Sequence, residues 1–308
     1  MKAIMYHYVR KFDKIHPNFK FLDIDSFRKQ LDYFERKFGF VNYQEWIDYI
    51  ENGRVPKVNG KVLLTFDDAM KCHFDYVYPE LIKRGLWGIF YVPTQPYSSG
   101  KILEVHRIHL LCGAFNGEEL FQFLKSLVFE EMIPDEKRKE FVNMTYTSQI
   151  NFSGVSEFKR LLNYFVDYQY QEDLISSVAS HFGYEFNVSN FYVAKENLKI
   201  MSHNGMIIGS HSDSHPVMSK LTENEQKHQI VESFRFLDGI GVIKNKSYCH
   251  PYGGFKSYDK NTINLLNQNE VEYSFSVEPR EITYNDIRIS KQSLPRFDCN
   301  KFPYGSVA

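Results

Sequence analysis

The spacing of apolar residues changes period along the chain. It opens on AIMYHYVR, residues 3–10, an apolar run with the ionisable ring of His7 in its middle. The segment DIDSFRKQLDYFERKFGF then returns Phe27, Leu31 and Phe34 at helical spacing, with Asp25 or Ser26 placed to cap it and Gly39 to end it. A second short helix is expected near 44–50, followed by a loop punctuated by Gly53 and Pro56. In KVLLTFDD, Val62 to Phe66 is almost wholly apolar or β-branched, the pattern of a strand buried on both faces, and it ends on two adjacent acids. YPELIKRG reads as a helix stopped by Gly85, and WGIFYVPT as a further buried strand closed by Pro93.

From about 97 to 190 the rhythm shifts to longer helical stretches such as EELFQFLKSLVF and SEFKRLLNYFV. Alternation then resumes: helix AKENLKIMSHNG, strand MIIGSHS, helix TENEQKHQIVESFRFL, strand KSYCHPYG, helix DKNTINLLNQN, strand EYSFSV and a last strand near QSLPRFD. Repeated strand and helix predict an α/β fold built on a parallel sheet or barrel. The expected organisation is one domain over 1–308 carrying a helical insertion at 97–190, read as a lid or one wall of a cleft.

Composition sharpens this picture in a few places. A 43% hydrophobic fraction over 308 residues supports a large core. With 37 Lys plus Arg against 38 Asp plus Glu, the net charge of -1 argues for neither a nucleic-acid partner nor an anionic membrane surface. No apolar run approaches the roughly 20 residues of a membrane-spanning helix. The start, MKAIMYHYVRKFDKIHP, lacks a small-residue cleavage site, so a soluble, cytoplasmic protein is expected. Cys72, Cys112, Cys249 and Cys299 are scattered and form no CxxC pair, which points to reduced thiols. The 27 Phe and 21 Tyr suit a thick core and equally supply stacking surfaces for sugar rings. Nothing in the pattern bears on oligomeric state.

In alternating folds, loops at the carboxyl ends of the strands gather on one face and build the site. Those positions hold Asp67 and Asp68, His211 and His215, the HPYGG segment, and Arg296 with Asp298. Two adjacent carboxylates after a buried strand call for a metal, a basic partner or a solvated loop; the plainer alternative is a helix-capping acid beside a surface acid. His211 and His215 stand four apart, a spacing that on one helical turn brings both imidazoles to one side, although HxxxH also arises by chance. Two His and one Asp together make a three-ligand metal site with positions left open for water and substrate.

LLTFDDAM and GSHSDSH, with HPYGG following, resemble the first three motifs of the polysaccharide deacetylase or NodB-homology family, carbohydrate esterase family 4. The resemblance covers roughly 1–96 and 191–300 and leaves out the middle helices. It implies a distorted (β/α)7 TIM-like barrel and a divalent metal, zinc first, with Co2+, Ni2+ or Mn2+ as alternatives. Carried over residue by residue, it implies Asp67 as general base, and Asp68, His211 and His215 as metal ligands. It also implies Ser212 as a brace between the histidines, and an oxyanion donor from a backbone N–H near Tyr252, in the segment Pro251, Tyr252 and Gly253. The family's usual acid, a C-terminal His, is missing, since no His follows His250. Circularly permuted members, the poly-N-acetylglucosamine deacetylases, open on a strand bearing YH that is similar to MYHYV, which makes His7 the acid. The implied reaction removes the acetyl group from an N-acetylated saccharide in bacterial surface polysaccharide biosynthesis. The rival readings are a deformylase, an O-acetyl esterase, or an inactive carbohydrate-binding relative.

Two departures stand out. Cys249 occupies the place of an Arg that in many relatives tethers the catalytic Asp, and Ala69 replaces a Gly after TFDD. Strand adjacency offers Arg296 as the substitute tether, and Asp298 as a carboxylate to orient His7. His106 and His109 read as a helix surface or core pair; His73, His203 and His228 read as structural or solvated; His250 is a reserve proton donor.

Overall fold

The computed structural model describes residues 1–53, 60–135, 137–138 and 154–306, and the loop expected at Pro56 lies outside them. The chain forms two compact units, one of Met1–Lys11, Phe21–Lys101 and Val188–Ala308, the other of Phe12–Lys20 and Ile102–Asn187.

The strands of the first unit are β1 (Lys2–Tyr6), β2 (Val9–Arg10), β3 (Leu22–Asp23), β4 (Val62–Phe66), β5 (Ile89–Val92), β6 (Ile207–Ser210), β7 (Ser247–Cys249), β8 (Tyr273–Phe275) and β9 (Phe297–Asp298). Seven of them make one parallel sheet in the order β8-β7-β6-β5-β4-β1-β9, while β2 and β3 pair separately. The first strand therefore lies between β4 and the last strand, with Ala3 opposite Leu63 and Ile4 opposite Phe297.

Strand periodicity explains why these segments read as continuous apolar runs. Ala3, Leu63, Ile89, Tyr91 and Ile207 share one buried cluster with Cys249, Tyr273 and Phe275. Their sequence neighbours Ile4, Leu64, Phe66, Phe90 and Ile208 belong to another, packed with Phe27, Leu31 and Phe34 of the helix Ile24–Lys37 and with Leu198 and Met201 of the helix Lys195–His203. Alternate residues thus fill the barrel and the layer beneath the helices. Closure comes from one short segment. The Leu294 amide donates to the Ser274 carbonyl at 2.8 Å and its carbonyl accepts from the Ser276 amide at 2.9 Å; three residues later Phe297 pairs with Ile4. Residues 294–298 join the two edges of the curled sheet, giving the distorted (β/α)7 barrel.

Local chemistry sets the helix ends. The first helix is capped by Asp23, not by Asp25 or Ser26: Asp23 is extended (φ -63°, ψ 142°) and accepts from the Asp25 amide. Asp25 already lies in the first turn, where its charge favours the positive end of the helix. The helix Tyr43–Asn52 has a reciprocal cap between Asn42 and Glu45, and it sends Trp46, Tyr49 and Ile50 into the barrel cluster. The helix read in YPELIKRG begins at Tyr78, after a π-helical turn at His73–Val77. Tyr284–Ile289 adds a helix that periodicity does not reveal, since it is only 6 residues long.

The second unit is helical: Glu104–Ala114, Gly117–Leu127, Val155–Arg160 and Tyr168–His181 surround a core that includes Ile108, Leu111, Phe121, Phe158, Phe165 and Ile175. His106 is buried in the first of these helices, its ring 6.3 Å from that of His109. Among the described residues no helix is long and apolar enough to cross a membrane.

Gly209 shows how tightly the barrel is filled. A Cβ there would lie 2.5 Å from both Ser247 Oγ and Tyr91 Cε1. Gly209→Val should lower stability by about 1–3 kcal/mol, seen as a reduced urea midpoint at unchanged slope.

Candidate active site

The strand ends deliver the residues singled out in the sequence. Asp67 and Asp68 follow β4, His211 follows β6, Cys249 ends β7, and Arg296 precedes β9. The connecting loops are bent into conformations that side chains rarely adopt. Of the seven non-glycine residues with positive φ among the described residues, five are here: Asp68 (79°), Ala69 (50°), Ser212 (62°), His215 (58°) and Tyr252 (62°). Such backbone persists only where its surroundings over-determine it.

For the histidine loop those surroundings are explicit. His211 to His215 is irregular, not the helical turn their spacing implied, because Ser212 and His215 are left-handed. The His215 amide donates to Ser212 Oγ at 2.9 Å, and the Ser212 amide to Ser210 Oγ at 3.2 Å. Thr94 donates to the Asp213 carboxylate at 2.7 Å, and Gln229 accepts from the Ser214 amide at 2.8 Å. The serine brace was legible in the motif; Thr94 and Gln229 lie on other elements, and nothing in their local sequence marked them.

Asp68 Oδ1 stands 3.5 Å from His211 Nε2 and 3.6 Å from His215 Nε2, all three residues being buried. His211 Nδ1 lies 2.9 Å from the Cys249 carbonyl, which accepts only, so Nδ1 carries the proton and the Nε2 lone pair is left for the site. Burial lowers the imidazole's affinity for a second proton, against the opposing pull of Asp67 and Asp68. The separations are long for direct hydrogen bonds. They match the spacing of about 3.4 Å between donors set roughly 2.0–2.2 Å from a shared tetrahedral ion. The set fits a divalent metal. A second convergent group, Asp67, His211 and Cys249, does not, because a guanidinium already engages its acid and thiol.

That guanidinium is Arg296. It meets Asp67 in two parallel hydrogen bonds of 2.8 Å, and the two side chains are 1% and 2% exposed. Its remaining N–H groups donate to Thr65 Oγ1 at 3.1 Å, Cys249 Sγ at 2.9 Å and the Ser276 carbonyl at 3.2 Å. Burial alone would raise the Asp67 pKa; the charge of Arg296, with His211 behind it, holds the carboxyl at about 2. Burial pushes the Cys249 thiol well up, so a neutral sulfur stands between the ion pair and the barrel wall.

His7 lies at the mouth of this arrangement. Its Nε2 is 4.0 Å from Asp68 Oδ2, and its side chain is 41% exposed, open to an incoming molecule. The Tyr252 ring sits 4.9 Å from that of His215. Pro251 and Gly253 are buried behind it, and the Gly253 carbonyl accepts from the Val277 amide at 2.8 Å. Gly253 is obligatory there: it has φ +66°, and a Cβ would fall 2.4 Å from Val277 Cγ2. Asp298 is not brought to His7. Its carboxylate accepts from the Asn300 amide at 2.9 Å and caps the closing turn Cys299–Lys301. His250, the reserve donor, is sealed in: its Nε2 meets the Gln292 carbonyl at 2.8 Å, its ring stacks on Tyr258 at 3.8 Å, and burial drives its pKa to about 4.

The polysaccharide deacetylase family model matches residues 173–274, the stretch that contains both histidines, Cys249 and the Tyr252 loop. Over that third of the chain the sequence is similar to the polysaccharide deacetylase family. Members of that family are hydrolases that act on carbohydrate N-acetyl groups, on carbon–nitrogen bonds other than peptide bonds. No curated protein matches the sequence. Its fold is shared with the deacetylase PplD of Streptococcus pyogenes, solved with acetate, at 15% identity and TM-score 0.60, over 97% of this chain and 91% of that one. IcaB from Ammonifex degensii is 17% identical with TM-score 0.51, covering 89% and 82%. The BpsB deacetylase domain from Bordetella bronchiseptica is 12% identical with TM-score 0.53, covering 96% of each chain.

Two measurements check the electrostatics of this candidate site. Arg296→Met strands a buried carboxylate and should cost roughly 3–5 kcal/mol in urea unfolding, with Arg296→Lys in between because an ammonium cannot make the paired bonds. His250 is neutral when folded, with its pKa at about 4 against 6.5 when exposed. It therefore stabilises the fold fully above pH 6.5 and loses that contribution as the pH falls toward 4. Relative to His250→Asn, the native protein should lose up to about 1.4 kcal/mol more per pH unit within that window.

Proposed function

We propose that the protein is a metal-dependent deacetylase that hydrolyses the acetamide of an N-acetylated sugar within a bacterial surface polysaccharide or its precursor. The convergence of Asp68, His211 and His215 on one point, with the ionised Asp67 beside it, carries this reading. We read the helical unit as an insertion in the deacetylase domain. Asp68, His211 and His215 would hold a zinc-type ion, which would supply the Lewis acidity to activate water and polarise the acyl carbonyl, as neutral amide hydrolysis requires.

The chain's own residues perform the remaining steps. Asp67, an anion across the working pH range, receives the proton of the attacking water. A backbone N–H of the Pro251–Gly253 segment donates to the developing oxyanion, a contribution that typically amounts to a few kcal/mol. His7 gives its proton to the departing amine, and its exposure lets it recover one from solvent. The products are acetate and a free amino sugar.

Asp67→Asn should bind metal normally and lose turnover by about 10²–10⁴, while Asp68→Ala should lose the metal itself. His7→Ala should keep metal and fold and still lose most of the turnover. Metal content, circular dichroism and acetate release from a panel of acetamido sugars report all three; equal metal loss in Asp67→Asn and Asp68→Ala would sink this division of roles. Including formamido and O-acetyl sugars in the panel identifies the acyl group.

A further inference from the structure

We propose that His73 is a positioning residue that holds the His7 backbone, and through it the proton-donating imidazole, against the metal-ligand loop. This rests on the reading of His7 as the acid. His73 is wholly buried, and its Nε2 lies 2.6 Å from the His7 carbonyl oxygen. A carbonyl only accepts, so Nε2 carries a proton and donates it to His7. Among the described residues its Nδ1 has no hydrogen-bond partner. Burying such a nitrogen costs about 1–3 kcal/mol, a cost that a Phe or Leu at this place would avoid. The ring packs against Phe66 and Phe90, at 5.7 and 5.9 Å between centroids, which fixes its direction. Apolar packing accounts for the ring's location but not for its being an imidazole; the bond to His7 does.

The geometry shows why His7 needs that donor. Up to Tyr6, β1 is paired along β4, and the Asp67 amide donates to the Tyr6 carbonyl at 2.9 Å. β1 ends at Tyr6, so the His7 carbonyl lies beyond the paired ladder, where the facing chain turns into left-handed backbone at Asp68. His73 lies five residues beyond Asp68 on the same segment, and its own amide donates to the Met70 carbonyl at 2.8 Å. It ties His7 to the very loop that presents Asp68, and so holds His7 Nε2 4.0 Å from Asp68 Oδ2.

The test is a double-mutant cycle on the metal-loaded full chain, with His73→Phe and His73→Gln made in the native and His7→Ala backgrounds. Acetate release from the best acetamido sugar gives kcat and KM; metal stoichiometry and urea unfolding are followed alongside. His73→Phe should lower kcat by about tenfold to a hundredfold at nearly constant KM and full metal, the scale of an ångström-level displacement. His73→Gln, which restores an N–H donor, should recover most of it. In the His7→Ala background His73→Phe should cost no further kcat, while its effect on stability stays the same. An equal kcat loss in both backgrounds, or none in the native one, overturns the positioning role alone. Full turnover by His7→Ala overturns the acid reading and this inference with it. If His73→Phe does not fold, His73→Leu enters the same cycle.

Discussion

Removing a carboxylate and a guanidinium from water costs several kcal/mol per ion, and both Asp67 and Arg296 are nearly inaccessible to solvent. The barrel tolerates them because every N–H of the guanidinium has a partner and both carboxylate oxygens are engaged. This pair also ties the chain's two ends together. Arg296 lies on the segment that bridges β8 to β1, and Asp67 ends the strand on the other side of β1. Closing the sheet and placing the acid are therefore a single event: without residues 294–298 between the edges, no cation reaches Asp67. The ion pair adds little net stability beyond what an apolar pair of the same shape would give. Its effect is to fix one acid, in one orientation, inside a hydrophobic barrel.

With Asp67 so committed, the proposed metal ligand is its neighbour, Asp68. Adjacent residues on an extended strand point to opposite sides, and Asp68 would face the outer helix layer had the strand continued. The left-handed turn at Asp68 and Ala69 redirects it toward His211 and His215. Two carboxylates adjacent in sequence are thereby divided between a guanidinium and an imidazole pair. The strained loops do this sorting, and braces from Thr94, Ser210 and Gln229 hold the histidine loop in place.

The sequence made legible what depends on short-range pattern. Buried strands, amphipathic helices, the two acids and the histidine pair are all local features, and each was placed within a few residues. Spacing failed where backbone geometry departs from the regular. HxxxH implied a helix, and two left-handed residues make it a loop. It failed again where a role depends on a strand end's direction: Arg296 and Asp298 are two residues apart, and one points into the barrel while the other caps a turn. Asp23 was passed over as a cap because the extended conformation that selects it belongs to the preceding strand, β3. The division of the chain at 102 and 187, with residues 12–20 joining the helical unit, depends on contacts that no linear pattern encodes.

Cys249 bears on whether the site is degenerate or rearranged. A motif that has lost its arginine reads as a catalytic site in decay, since an unpaired buried Asp67 would take up a proton and cease to be an anion. The charge is nevertheless present, delivered from the opposite edge of the barrel, and the thiol fits the new arrangement. A second guanidinium at Cys249 would place two like charges within reach of one carboxylate; a neutral sulfur 2.9 Å from Arg296 Nη2 and 3.5 Å from Asp67 Oδ2 fills that volume without competing. Arg296, beside β9, supplies the guanidinium that Cys249 cannot, and the buried anion keeps the electrostatics that the proposed chemistry requires.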